Sequence, residues 1–416
     1  MIGSASRPDV QIRPIEPEEF GAWFDVMATS FGHRLRDEVV QLERSFAEPP
    51  RTLAAVEGDR MVGGNAAIGV ELAVPGGRCV PTAAIIGVGV LPSHTRRGIS
   101  TALMRRQLDA VHERGEPLAV LHASEGAIYG RYGFGLATRS GSLQADRSGV
   151  AFVRGYEPVG SVELVERDAA IAALVRAAEL TAGRPGHLGP AARLADYTVR
   201  DAALAPEDEG GAGPFYAVHR DPGGHPDGAV VYRVRQAWPE NLPRFTASVE
   251  ILLGATPAAE AALWRYVFDL DLVGTVEAWH RPAADPLLWL VREPRALRMR
   301  VGDDLYLRLV DVRSALAARA YAGEGSVVLG VQDPFCPWNA GAWRLVAAGG
   351  RAEVEPTDAE PELELSSTDL ATIYLGDASF ADLADALLVR VRDPAALERA
   401  DRLFATPQAP RCWVHV

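Results

Sequence analysis

IIGVGVLPSHTRRGIS occupies residues 85–100 and LAVLHASEGAIYGRYGF residues 118–134. The first stretch reads as a strand, Ile85 to Val90, that carries Gly87 and Gly89 and runs into a turn ending at Gly98. Glycine inside a strand marks a bulge or the close approach of another backbone or a ligand. A helix is predicted from about Gly98. Ile99, Leu103, Met104, Leu108 and Val111 recur at three- and four-residue spacing, and Gly115 is a suitable stop. A second strand, Leu118 to His122, leads into the Tyr129–Phe134 turn.

The first amides of a helix have no intrahelical partner and carry partial positive charge, so an anion satisfies both. Gly98 allows close backbone approach, and Arg96 and Arg97 add complementary charge. The turn matches neither GxxxxGK[ST] nor GxGxxG, which argues against a nucleoside triphosphate or a dinucleotide. A phenol with a pKa near ~10 stays protonated at neutral pH, so Tyr129 can protonate a departing thiolate. Pyrophosphate on amides, a peptide-like arm on a strand edge and a phenol near sulfur together point to an acyl-coenzyme A and to acyl transfer. The plain alternative is a basic solvated turn before a surface helix.

Val90-x-Pro92-x-x-x-Arg96-Arg97-Gly98, followed by Ala123-Ser124-Glu125-Gly126-x-Ile128-Tyr129-Gly130-Arg131-x-Gly133-x-Gly135, resembles the GNAT acetyltransferases. More narrowly it resembles the Eis (enhanced intracellular survival) family of N-acetyltransferases. The likeness is strongest over Pro81–Thr138 and returns at Asp303–Tyr321 and Ser367–Gly376. It implies a mixed α/β (α+β) chain of tandem GNAT-like domains and a C-terminal sterol-carrier-protein-like α/β domain, with a catalytic unit at 1–155, a degenerate GNAT-like unit at 156–295 and the third unit at 296–416. It also implies a homohexamer, acetyl-CoA as donor, and a primary amine of an aminoglycoside or similar polyamine as acceptor.

By the same resemblance Tyr129 is the general acid and the terminal carboxylate of Val416 the base. Val88, Gly89, Val90, Arg96, Arg97, Gly98, Ile99, Ser100 and Ser124 bind the coenzyme. The acceptor side departs from the family pattern. Gly87 stands at a pocket-lining position, and His33 stands where an acid would help hold a cation. Phe31, His33, Asp285 and Trp413 are the candidate pocket wall, and Glu125, His122 and His33 are fallback bases. A carrier or sensor without turnover, or an N-acetyltransferase for lysine side chains or a small metabolite, remains the alternative.

Composition fits this frame. The 416 residues suit about three domains, and 48% hydrophobic content supports full cores. A net charge of −13 argues against nucleic acid. No apolar stretch reaches the ~20 residues of a membrane span, and Met1–Pro14 carries no basic-then-apolar signal. Cys79, Cys336 and Cys412 form no metal or disulfide pattern, and the histidines lack metal spacing. A cytoplasmic location is expected.

The middle region repeats the theme. Thr246–Leu253 reads as a strand, Gly254–Pro257 as a turn and Ala258–Phe268 as a helix. That turn has no arginine, so this second copy is predicted to have lost its anion site.

Overall fold

The computed structural model describes residues 10–33, 36–204 and 213–415. The first unit holds β1 (Val10–Pro14), α1 (Phe20–Ser30), α2 (Asp37–Phe46), β2 (Thr52–Glu57), β3 (Arg60–Ala73), β4 (Cys79–Val90), α3 (Ile99–Glu113), β5 (Leu118–His122), α4 (Gly126–Tyr129) and β6 (Gly135–Leu136). The second holds β7 (Arg139–Asp146), β8 (Ser161–Leu164), α5 (Arg167–Leu180), β9 (Leu188–Gly189), α6 (Ala191–Leu204), β10 (Phe215–Arg220), β11 (Pro226–Arg235), β12 (Phe245–Gly254), α7 (Pro257–Phe268), β13 (Val273–Pro282), α8 (Leu287–Leu290) and β14 (Arg300–Asp303). From β15 (Leu305–Leu309) onward the chain builds a third sheet over residues 325–391, with helices at Val312–Ala318, Ser367–Tyr374, Phe380–Asp385 and Pro394–Phe404.

The sheets cross the domain bounds predicted from sequence. β7, placed in the first unit by sequence, pairs with β13 and β14 in the second sheet. β15, placed in the third unit, pairs with β5 and β6 and completes the first sheet. Such pairing between distant segments leaves no local signal, because a strand's alternation shows which face is buried and not which neighbour it joins. β1, β2, β3, β4, β5, β15 and β6 follow one another across the first sheet.

The apolar spacing of α3 decides its seat. Leu103, Met104, Leu108 and Val111 are fully buried against that sheet. On the opposite face α1 buries Phe20, Trp23 and Met27 with Ala54 and Ala66. Burying a large apolar side chain contributes about 1.5–3 kcal/mol, so each helix is fixed by its own stripe. α2 and α6 were not read from sequence, since their polar residues dilute the period.

Candidate active site

β4 is where the fold opens. Its parallel ladder with β5 covers only Thr82–Ala84 against Leu118–Val120. β4 then continues to Val90 while β5 ends at His122. The two strands part, leaving the Ile85–Val90 edge beyond their ladder. Opposite β3 the register shifts between Gly64 and Ala66, so one residue faces two of β4. Gly87 sits at this bulge with φ +57, which glycine adopts without penalty. Val88 is half-buried and lines the cavity described below. Gly89 is buried against Ser30 and Met27, so any Cβ there would crowd α1.

The turn after β4 is pinned from outside. The Glu57 carboxylate accepts from the Arg97 guanidinium and lies 3.1 Å from His94 Nε2. Arg97, and after it His94, hold the Glu57 carboxyl below its ordinary pKa. Arg97 is thus committed to Glu57, whereas Arg96 is exposed with φ +61. Gly98 caps α3 with φ +83, no side chain caps that end, and the first backbone bond of the helix is Ala102 N–H to Gly98 O at 3.0 Å. The amides of residues 98–101 therefore have no intrahelical partner, and among the described residues no side chain caps them. Ile99 packs its side chain with Leu53, Leu91 and Leu103, so it offers an anion only its amide. The Ser100 and Thr101 hydroxyls lie 3.3 and 3.4 Å from the Tyr132 phenol, tying the start of α3 to the Tyr129 turn.

Tyr129 ends α4 with 6% of its surface exposed, edge-on to Tyr132 and Phe134. Burial, then the nearness of Tyr132 and Glu125, pushes its pKa above the ordinary phenol value. It lines a cavity of about 720 Å³ together with Val88, Ser124, His122, Phe31, His33 and His415. The walls are largely apolar, from Trp23, Phe24, Met27, Ile68 and Leu194. His122 Nε2 lies 3.4 Å from Asp304 Oδ1, and the Asp304 carboxylate also accepts from Thr138 at 2.8 Å. The Leu305–His122 pairing of β15 with β5 brings Asp304 there. The His415 ring lies tilted against the His122 ring, with centroids 4.2 Å apart.

Of the four residues assigned to the acceptor wall from sequence, Phe31 and His33 line this cavity and Asp285 and Trp413 do not. Asp285 is buried in an ion pair with Arg281 at 2.8 Å. Trp413 donates to Leu188 O at 2.8 Å and stacks on His187. Both border a second cavity of about 610 Å³ at the start of α7. The buried charge of Asp285 is satisfied by its own neighbour, and the Trp413 indole by a carbonyl, so neither side chain is turned to the Tyr129 cavity. Val416 lies outside the described residues. Glu43, Tyr197, His415 and Asp304 were not singled out by sequence, for no motif joins them. Only an unusual acid among the apolar positions of α2 could have flagged Glu43.

The second unit repeats the first. β12 and β13 run parallel from Phe245 to Val249 and β12 continues to Gly254. There, however, Thr256 caps α7 by accepting from Ala259 N–H at 3.1 Å, with Pro257 in the first turn. The donors that an anion would take are partly used or missing. Burial and the Arg411 charge push the His187 pKa down to about 4. The unfolded chain takes up that proton near pH ~6.5, so stability should fall as pH drops from there towards 4. Melting temperatures measured across this window should decline, and His187→Asn should flatten the decline. An unchanged slope would remove His187 as a cause.

Comparison with known proteins agrees with this geometry. Residues 11–137 and 193–309 each match an acetyltransferase (GNAT) domain model, and residues 312–413 match a sterol carrier protein domain. A protein of Streptomyces avermitilis named as an N-acetyltransferase is 38% identical, covering 96% of this chain and 98% of its own. The N-acetyltransferase Eis of Mycobacterium bovis is 33% identical, covering 94% of this chain and 91% of its own. The crystal structure of Eis1 from Mycobacterium abscessus superposes with a TM-score of 0.83 at 33% identity, covering 98% of this chain and all of that one. With two GNAT folds, a sterol-carrier-like fold and relatives of this identity along nearly its whole length, the chain belongs to the Eis family of GNAT N-acetyltransferases.

Proposed function

We propose that this N-acetyltransferase moves the acetyl group of acetyl-CoA directly to a primary amine of a small molecule held in the 720 Å³ cavity. One observation carries the reading: a single strand, β4, leads from the buried Tyr129 phenol and Val88 at the cavity to the start of α3, where only the Gly98 backbone forms the cap. That separation of anion donors and phenol suits a long donor with a pyrophosphate at one end and a thioester at the other. The residues present fit coenzyme A. The amides of residues 98–101 would take the pyrophosphate, with Arg96 adding charge, and the Ile85–Val90 edge would take the peptide-like arm.

Bound there, the coenzyme supplies an acyl group activated as a thioester. An amine attacks only as the free base, so its proton must leave. His122, oriented by Asp304 and lining the cavity, is positioned to accept it. The amine nitrogen bonds to the thioester carbon, and the carbonyl oxygen takes the negative charge. The Val88 amide is the donor we assign to that oxygen. As the C–S bond breaks, the Tyr129 hydroxyl gives its proton to sulfur. The products are the amide and the free thiol. Tyr129 is reprotonated from His122 or water, so the proton balance closes.

The test is a panel of aminoglycosides, polyamines, lysine peptides and arylamines incubated with acetyl-CoA and read by mass spectrometry. A mass gain of one acetyl group with stoichiometric thiol release is expected. Coenzyme binding without thiol release for any amine would favour the carrier alternative.

A further inference from the structure

The cavity that holds Tyr129 has one carboxylate among its described lining residues, Glu43 of α2. Tyr197 of α6 donates to Glu43 Oε1 at 2.8 Å and also lines the cavity. The Tyr197 ring packs edge-on to Phe46 with centroids 4.7 Å apart, which fixes the phenol and, through it, the carboxylate. Tyr197 lies within the second GNAT-like match, so the unit with the altered phosphate turn supplies one wall of the first unit's cavity. Among the described residues no arginine or histidine forms an ion pair with Glu43. Burial pushes the Glu43 pKa up, Asp201 on α6 adds to that, and the Tyr197 hydrogen bond opposes both. A partly desolvated carboxylate with one phenol partner is a seat for a cation.

The rest of the wall limits what that cation can be attached to. Trp23, Phe24, Met27, Phe31 and Leu194 offer apolar surface, and Arg36 brings positive charge. Glu43 is the one acid among the described lining residues, so a polycation would find one charge partner there and repulsion from Arg36. A chain of methylene groups would gain from the same surface.

We propose that the acceptor is an elongated, mostly apolar diamine, with one amine reacting beside Tyr129 and the second ammonium seated on Glu43. This rests on the acetyl-transfer reading above and names its substrate class. The experiment compares kcat/KM for octamethylenediamine and octylamine with the full-length protein, its Glu43→Gln variant and its Tyr197→Phe variant. Glutamine still accepts the Tyr197 hydrogen bond, so a merely structural role for Glu43 would survive this change.

The wild type should favour the diamine by about tenfold or more, the value of one charge-assisted hydrogen bond. In Glu43→Gln the ratio should collapse towards one, while the acetyl-CoA Kd from calorimetry holds. Tyr197→Phe should reduce the ratio less. An unchanged ratio in Glu43→Gln, or an aminoglycoside acetylated in preference to the diamine, would overturn the inference. Should acetyl-CoA bind but neither amine react, calorimetric titration of the diamine decides. Binding to the wild type and not to Glu43→Gln supports the seat, and no binding overturns it. Failure to bind acetyl-CoA at all would strike the acetyl-transfer reading instead.

Discussion

Tyr129→Phe binds acetyl-CoA as the wild type does and turns over at least ~100-fold more slowly, the usual loss for a missing general acid. The substitution removes one oxygen from a ring that is packed against Tyr132 and Phe134, so the cavity wall keeps its shape. The coenzyme's phosphates would be held at the start of α3, away from that oxygen. Loss should therefore fall on kcat and leave the coenzyme Kd within about twofold. Because burial raises the Tyr129 pKa, its ionisation should not limit activity below about pH 10. Steady-state kinetics paired with calorimetry read both quantities. A variant with wild-type kcat would remove Tyr129 from the chemistry.

Asp333→Ala destabilises the protein by about 3–5 kcal/mol, the cost of stranding a buried charge. Asp333 and Arg308 form an ion pair whose side chains are both fully buried. The Asp333 carboxylate also accepts from Asn339 Nδ2 at 3.0 Å and from Cys336 N–H at 2.8 Å. Arg308 lies on β15, the strand that joins the third region to the first sheet, and its Nη1 reaches Gly133 O in the Tyr129 turn at 3.5 Å. Without the carboxylate the guanidinium has no charge partner in the core. Replacing both, as in Arg308→Met with Asp333→Leu, should recover much of the loss, since well-packed apolar pairs often match buried ion pairs. Denaturant titration checks this. A single variant within about 1 kcal/mol of the wild type would show that water or rearrangement compensates the charge.

The parts legible in sequence are those whose signal is local. The α3 stripe, the glycine strand and the Tyr129 turn each follow from spacing within a dozen or so residues. What stayed hidden depends on distant partners. His122 could be named as a fallback base, but its Asp304 neighbour is set by strand pairing between segments far apart in the chain. Glu43 and Tyr197 meet only because α2 packs on α6. Asp285 is a candidate for the acceptor wall by sequence, whereas Arg281, placed by the register shift near the end of β13, already holds it. Charge and residue type suggested a role at each of these positions, and tertiary pairing decided it.

The most direct measurement is a crystal structure with coenzyme A bound. The pyrophosphate oxygens should lie within hydrogen-bond distance of the amides of residues 98–101, with the pantetheine beside Ile85–Val90 and the sulfur close to the Tyr129 hydroxyl. Coenzyme A seated at the Thr256 turn of the second unit, or with its sulfur remote from Tyr129, would contradict the account.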